Sequence, residues 1–333
     1  MVFARNSPVH LFDAYTGGLR ATYRAYDHYD EISSPISLCF SLDGARLYAG
    51  FPRMVRIFDT SRPGRPVASR ALCKNRADRT GQRGVVSCMS FNPDWSGLYA
   101  VGTYARNVWL YDDRSAAPVL SFENAHTGGG VTQVQWCPDG RTLCSGARTD
   151  SEIAVWDVRG GSNHSRLAAL SRECVTNQRV AFDIDKASGG RYLVSGSSSP
   201  MVMCYDLKRL TCGSGDEEGQ TGLGSSGGGG SRDDEEKDGY IRGQSLRLRG
   251  KKASFEDAVN GVSLGENRAA GLLATTTGQR SMITSRWPSL LSSESSSSSS
   301  NYDTSEDGEE GRRITYYERE SHLNSLQLWR LRL

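Results

Sequence analysis

The 333-residue sequence predicts an all-β fold, a β-propeller, on three observations. First, an alternating apolar run ending in an aromatic residue and Asp occurs five times: Val9-His10-Leu11-Phe12-Asp13, Val55-Arg56-Ile57-Phe58-Asp59, Val108-Trp109-Leu110-Tyr111-Asp112, Ile153-Ala154-Val155-Trp156-Asp157 and Val202-Met203-Cys204-Tyr205-Asp206. The Asp-to-Asp spacings are 46, 53, 45 and 49 residues, the period of one four-stranded blade. Second, a strand ending in a Pro, Asp or Gly turn precedes the phrase, as in Leu38 to Gly44, Met89 to Asp94 and Val134 to Gly140. Third, a strand ending in Gly lies between them: Leu47 to Gly50, Leu98 to Gly102, Leu143 to Gly146 and Leu193 to Gly196.

Each unit therefore reads strand, turn, strand, Gly, loop, strand, aromatic–Asp, which is the grammar of WD repeats. Residues 1–25 supply only the outer half of a blade, the Phe12 strand and Leu19 to Tyr23. Blades follow at roughly 35–72, 84–122 and 130–170, and a fifth runs from Thr176 to Asp206. We expect residues 1–212 to form propeller blades, the first partial, and 213–240 a disordered acidic Gly/Ser loop. Residues 241–284 continue the propeller, with Ser245 to Arg249 as the outer strand and Asn260 to Leu264 opening the last blade. Residues 285–318 form a Ser-rich acidic loop, and 319–333 bring the closing strand with Trp329 as its aromatic. That is five blades and a fragment. The expectation is an incomplete ring with exposed strand edges and a chain truncated at its N-terminus.

One blade carries a full set of polar side chains. His126, Ser145, Asp150 and Trp156 stand where WD repeats place a buried hydrogen-bonding group. His, Ser and Asp also make a hydrolase triad, but the spacing and the Trp favour the structural set. Pro52, Ala105 and Ser199 replace the tight-turn Asp elsewhere, so those blades are expected to rely on packing.

The formal charge of +2 hides an asymmetry. Residues 213–240 are net −6 and 285–313 net −3, which leaves +11 on the rest. Only 6 of the 40 basic residues are Lys. Arg forks match phosphates and stack on bases, so the platform suits RNA. Genomic base composition produces the same excess without function. The 8 cysteines show no CxxC pair and no zinc-like spacing, and read as small buried hydrophobes of a reducing compartment. No signal peptide pattern and no 18-residue apolar span occurs, so a soluble intracellular protein without membrane contact is expected.

The loops between second and third strands emerge on one rim. Arg53 and Arg106 lie five residues before their aromatics, Arg148 eight before Trp156, and Arg5 seven before Phe12. Loops entering the first strands reach the same rim with His28 and Tyr29, Gln82 and Arg83, and Asn177, Gln178 and Arg179. An arc of arginines suits a folded RNA backbone, with Asn and Gln for base edges and aromatics for stacking. An ordinary solvated rim has the same composition. No phosphate loop, HExxH or paired carboxylates appear, so no catalytic residue, cofactor, metal or small-molecule substrate is expected.

The chain resembles the telomerase Cajal body protein 1 family through Asn6 to Gly17, Leu19 to Tyr26, Ser145-Gly146-Ala147-Arg148, Val175-Thr176-Asn177-Gln178-Arg179, Asn260 to Leu264, Gly278-Gln279-Arg280 and Leu326-Gln327-Leu328-Trp329. The resemblance implies a non-enzymatic adaptor of small Cajal-body RNAs, telomerase RNA included, found in the nucleus and Cajal bodies and helping telomerase reach telomeres. It implies H/ACA ribonucleoprotein and telomerase components as partners. Arg106, Arg148 and Arg179 would then face RNA. The family's acidic N-terminal region and first blade are missing here, and the inserted loops are longer and more acidic than expected. A generic WD-repeat protein–protein adaptor is the alternative.

Overall fold

The computed structural model describes residues 7–75, 78, 80–115, 117–161, 166–199, 201–208, 240–241, 244–246, 258–266, 272–278 and 326–330. Among the described residues, twenty-two strands form six small sheets. β1 (Val9–Phe12) pairs with β2 (Leu19–Tyr23). Two four-stranded antiparallel sheets follow: β3 (Ser37–Phe40), β4 (Arg46–Phe51), β5 (Met54–Asp59) and β6 (Ala68–Ala71); then β7 (Val86–Phe91), β8 (Leu98–Thr103), β9 (Val108–Asp112) and β10 (Pro118–Phe122). The next sheet holds β11 (Val131–Trp136), β12 (Thr142–Ala147), β13 (Glu152–Asp157) and β14 (Arg166–Ser171). β18 (Tyr240–Ile241) runs parallel to β14 as a fifth strand of that sheet. β15 (Phe182–Ile184), β16 (Tyr192–Ser195), β17 (Val202–Asp206) and β19 (Gln244–Leu246) make the fifth sheet. β20 (Val259–Leu264), β21 (Leu272–Thr277) and β22 (Leu326–Arg330) make the last. The repeats are thus WD-type propeller blades, each a meander.

The registers explain the repeated phrase. The aromatic of each third strand stands opposite a large residue of the second: Leu47 with Phe58, Tyr99 with Tyr111, Leu143 with Trp156, Leu193 with Tyr205, and Leu273 with Trp329. The following Asp closes the turn. Asp13, Asp59, Asp112, Asp157 and Asp206 each accept from the backbone N–H two residues on. That is the Asx turn, which Asp makes and an apolar residue cannot.

Between consecutive sheets lies one apolar core each. Val9 and Tyr23 pack with Leu47 and Phe58, Tyr48 and Val55 with Phe91 and Tyr99, and Leu110 and Phe122 with Trp136 and Trp156. Ile153 and Leu170 pack with Phe182 and Tyr205, and Val194 and Val202 with Val259 and Leu273. The recurrent Gly ending the second strands follows from this stacking. A Cβ on Gly50 would fall 2.6 Å from Val86 Cγ1, on Gly102 2.8 Å from Val131 Cγ1, and on Gly196 2.1 Å from the Val259 carbonyl. The next blade's inner strand lies against these glycines, so the spacing of blades depends on their lacking a side chain.

Candidate nucleic-acid interface

The turns between second and third strands are held to the connections between blades by backbone bonds. Arg53 N–H donates to Gly84 O at 2.9 Å, Ala125 N–H to Arg106 O at 2.9 Å, Gly129 N–H to Arg148 O at 2.6 Å and Arg172 N–H to Ser151 O at 2.7 Å. Both kinds of loop therefore form one rim. Arg53 and Arg106 occupy tight-turn positions with φ of 57° and 64°. A left-handed conformation at two arginines in equivalent turns carries strain that a Gly would avoid. Arg106 is exposed and Arg53 half-buried.

Arg148 is also half-buried. Its guanidinium lies 5.2 Å from the Tyr104 ring centroid, and Nη2 donates to the Tyr104 hydroxyl at 3.4 Å. Its Nε is buried with no partner. Tyr104, which the repeat pattern does not single out, thus holds a rim arginine in place. Arg179 is directed inward. Its Nη2 donates to Ser87 O at 3.2 Å, in a cavity of about 440 Å³ lined by Leu38, Cys88 and Gln133 of the inner strands β3, β7 and β11. Gln178 is half-buried with Oε1 unpartnered. Arg5 lies outside the described residues, as do most of the two acidic segments.

The opposite rim differs in charge. There the repeat's Asp neutralises neighbouring arginines: Arg20 with Asp13 at 3.8 Å, Arg114 with Asp112 at 3.1 Å, Arg159 with Asp157 at 2.6 Å and Arg191 with Asp206 at 2.9 Å. Among the described residues, Arg53, Arg106, Arg148 and Arg179 make no salt bridge. Unpaired arginines thus lie on this rim, while the opposite rim mixes paired arginines with Arg62 and Arg141, which make no salt bridge among the described residues.

The polar set of the fourth sheet is closed and buried. His126 Nδ1 meets Asp150 Oδ2 at 2.8 Å and Nε2 meets Ser145 Oγ at 2.9 Å, while Trp156 Nε1 donates to the same Oγ at 2.8 Å. The Asp150 carboxylate only accepts, which assigns the N–H to Nδ1, and Ser145 gives its one proton to Nε2 while accepting from Trp156. Burial is the largest single influence and raises the Asp150 pKa, but the hydrogen bond and electrostatic attraction of His126 together with the backbone N–H groups of Glu152 and Gly128 hold the carboxyl below its ordinary value. Ser145 is itself fully buried, which removes it from any substrate.

The expectation that the other blades rely on packing is corrected in the β7–β10 sheet. Gln82 Nε2 donates to Val101 O at 2.8 Å and Asn107 Oδ1 at 3.1 Å, and Tyr111 donates to Gln82 Oε1 at 3.1 Å. Gln82 is 0% exposed. It takes the place of His126 and cannot read a base edge from the rim. In the fifth sheet Arg172 fills the corresponding place, with Nη1 donating to Ser195 Oγ at 3.4 Å. Only geometry reveals these substitutes, because a Gln and an Arg in loop sequence look like solvated residues.

Comparison with known proteins bears on this arrangement. The family model "WD domain, G-beta repeat" matches residues 117–157. Human Telomerase Cajal body protein 1 is 45% identical over 203 residues, covering 61% of this chain and 35% of the relative. The chain carries a WD repeat at residues 117–157 and is similar to Telomerase Cajal body protein 1 over about three fifths of its length. The Drosophila melanogaster homologue of that protein is 36% identical over 214 residues, 62% of this chain and 36% of its own. "Guanine nucleotide-binding protein negative regulator 1" of Schizosaccharomyces pombe is 34% identical over 197 residues, 56% of this chain and 47% of its own. The chain spans about a third of the length of the Telomerase Cajal body protein 1 relatives it matches.

Proposed function

We propose that this chain is a non-enzymatic RNA-binding scaffold whose arginine rim binds small Cajal-body RNAs, telomerase RNA included. It directs the ribonucleoprotein to Cajal bodies and telomeres in the nucleus, alongside H/ACA and telomerase components. One observation carries the RNA part. Arg53, Arg106, Arg148 and Arg179 of one rim make no salt bridge among the described residues, while Arg20, Arg114, Arg159 and Arg191 of the other are neutralised by the repeat's own Asp. Exposed arginine forks without counter-charges are ready for phosphate oxygens. The name shared by the relatives supports the Cajal-body and telomerase part.

The test is crosslinking followed by RNA sequencing from cells expressing the chain. Enrichment of small Cajal-body RNAs and telomerase RNA, reduced by Arg106→Glu and unaffected by Arg114→Glu, supports the reading. A preparation free of RNA but retaining protein partners would replace it with the protein-adaptor reading.

A further inference from the structure

Between the rim turns of the β11–β14 and β15–β17 sheets lies a cavity of about 710 Å³. Its walls include Ser151, Arg172, Glu173, Ser199, Met201 and Met203. Arg172 is 3% exposed. Nη1 donates to Val180 O at 3.1 Å and Ser195 Oγ at 3.4 Å, and Nη2 to Ala147 O at 3.2 Å, all neutral acceptors. Nε is buried without a partner, and among the described residues no carboxylate pairs with the group. The contrast with His126 is direct. There an Asp completes the set, whereas here Ser199 stands in the turn and the guanidinium keeps an uncompensated charge. Thr176 Oγ1 and Gln178 Oε1, on the same connection, are also buried without partners. Buried polar atoms without partners are rare; Thr176 and Gln178 lie outside the cavity lining, whereas Arg172 stands on its wall and marks a place built to meet a ligand.

The chemistry of the walls selects the ligand. Met201 and Met203 are polarizable apolar side chains suited to the face of an aromatic ring. Serine hydroxyls and Arg172 offer donors to its edge. The Glu173 carboxylate disfavours a phosphate and accepts from an exocyclic amino group. We infer that this cavity takes one unpaired nucleobase extruded from RNA lying on the rim. The inference rests on the RNA-binding reading above and adds to it a base-specific site beside the phosphate-facing arginines.

The test uses the full chain, a fluorescent RNA hairpin with an unpaired terminal loop, and the same hairpin made abasic at each loop position in turn. Ser151→Trp and Ser199→Trp narrow the cavity from opposite walls without touching the arginines; two variants guard against a folding defect in either. For wild type, one abasic position is expected to weaken binding about tenfold, the worth of one well-held base. Each Trp variant should weaken the intact hairpin by a similar factor and make it indifferent to that abasic position. Trp variants that bind like wild type, or an abasic loss that persists unchanged in them, would overturn the base site while leaving RNA binding intact. Absence of hairpin binding by wild type would sink the RNA reading and the base site with it.

Discussion

Tyr111 donates its hydroxyl to Gln82 Oε1 at 3.1 Å in a blade that has neither the His nor the tight-turn Asp of its neighbour. Asn107 completes the group, accepting from Gln82 Nε2 at 3.1 Å and from Thr103 Oγ1 at 2.6 Å. Different residues thus solve the same problem in adjacent blades, which is to satisfy polar atoms where a rim connection dives into the sheet. Tyr111→Phe should remove a donor and leave Gln82 Oε1 unpaired in the core. We expect about 1–2 kcal/mol of lost stability, read as a lower denaturant midpoint at unchanged slope. An unchanged midpoint would mean that packing alone holds this blade.

In the next blade Asp150→Ala strands His126 Nδ1–H in a buried site. The expected loss is about 1–3 kcal/mol, larger than for Asp150→Asn, which retains an acceptor oxygen. The same carboxyl sets a pH dependence. Its folded pKa lies below the ordinary value, so its contribution to stability is present above about pH 4 and is lost as pH falls through the folded pKa. Acid titration of the unfolding midpoint should therefore be shallower in Asp150→Asn than in wild type below about pH 4. Parallel titrations would contradict the assignment.

The two rims should respond oppositely to charge reversal. Arg106→Glu is expected to weaken binding to a small structured RNA and reduce the salt slope by about one, with stability within about 0.5 kcal/mol. Arg114→Glu, which meets Asp112 on the other rim, should leave the salt slope unchanged. Binding measured against salt concentration separates the cases, and equal slopes for both variants would remove the arginine rim from the RNA reading.

Trp95 has φ of 62° and is 70% exposed. Gly44 and Gly140 have φ of 70° and 67° in the corresponding turns. Trp95→Gly should relieve the strain and lose little packing, raising stability by about 0.5–1 kcal/mol after the greater freedom of Gly in the unfolded chain is set against it. A destabilised variant would show that the indole makes contacts worth more than the backbone strain.

The repeated phrase was readable because it records backbone requirements. Asp recurs since a turn needs its carboxylate, Gly recurs since the next blade presses on it, and the aromatic recurs since it faces a large residue across the sheet. His126, Ser145, Asp150 and Trp156 were also legible, because that combination satisfies itself at one spacing. The substitutes were not. Gln82 and Arg172 lie in polar loop sequence, and nothing local separates a residue that turns into the core from one that faces water. Arg179 differs from these two: it stays exposed while its guanidinium donates to Ser87 O of an inner strand.

By itself the sequence determined the blade period, the turn chemistry and the abundance of arginine, all of which depend on residues close along the chain. Tertiary structure alone decided which arginines keep their charge free. Asp112 neutralises Arg114 because two residues of one turn must meet. Arg106 and Arg148 escape pairing, and Arg172 is buried without a counter-ion, because packing between blades determines which side chains lie within reach of a carboxylate. Coulomb interactions depend on distance in space, and sequence spacing supplies that only within a turn.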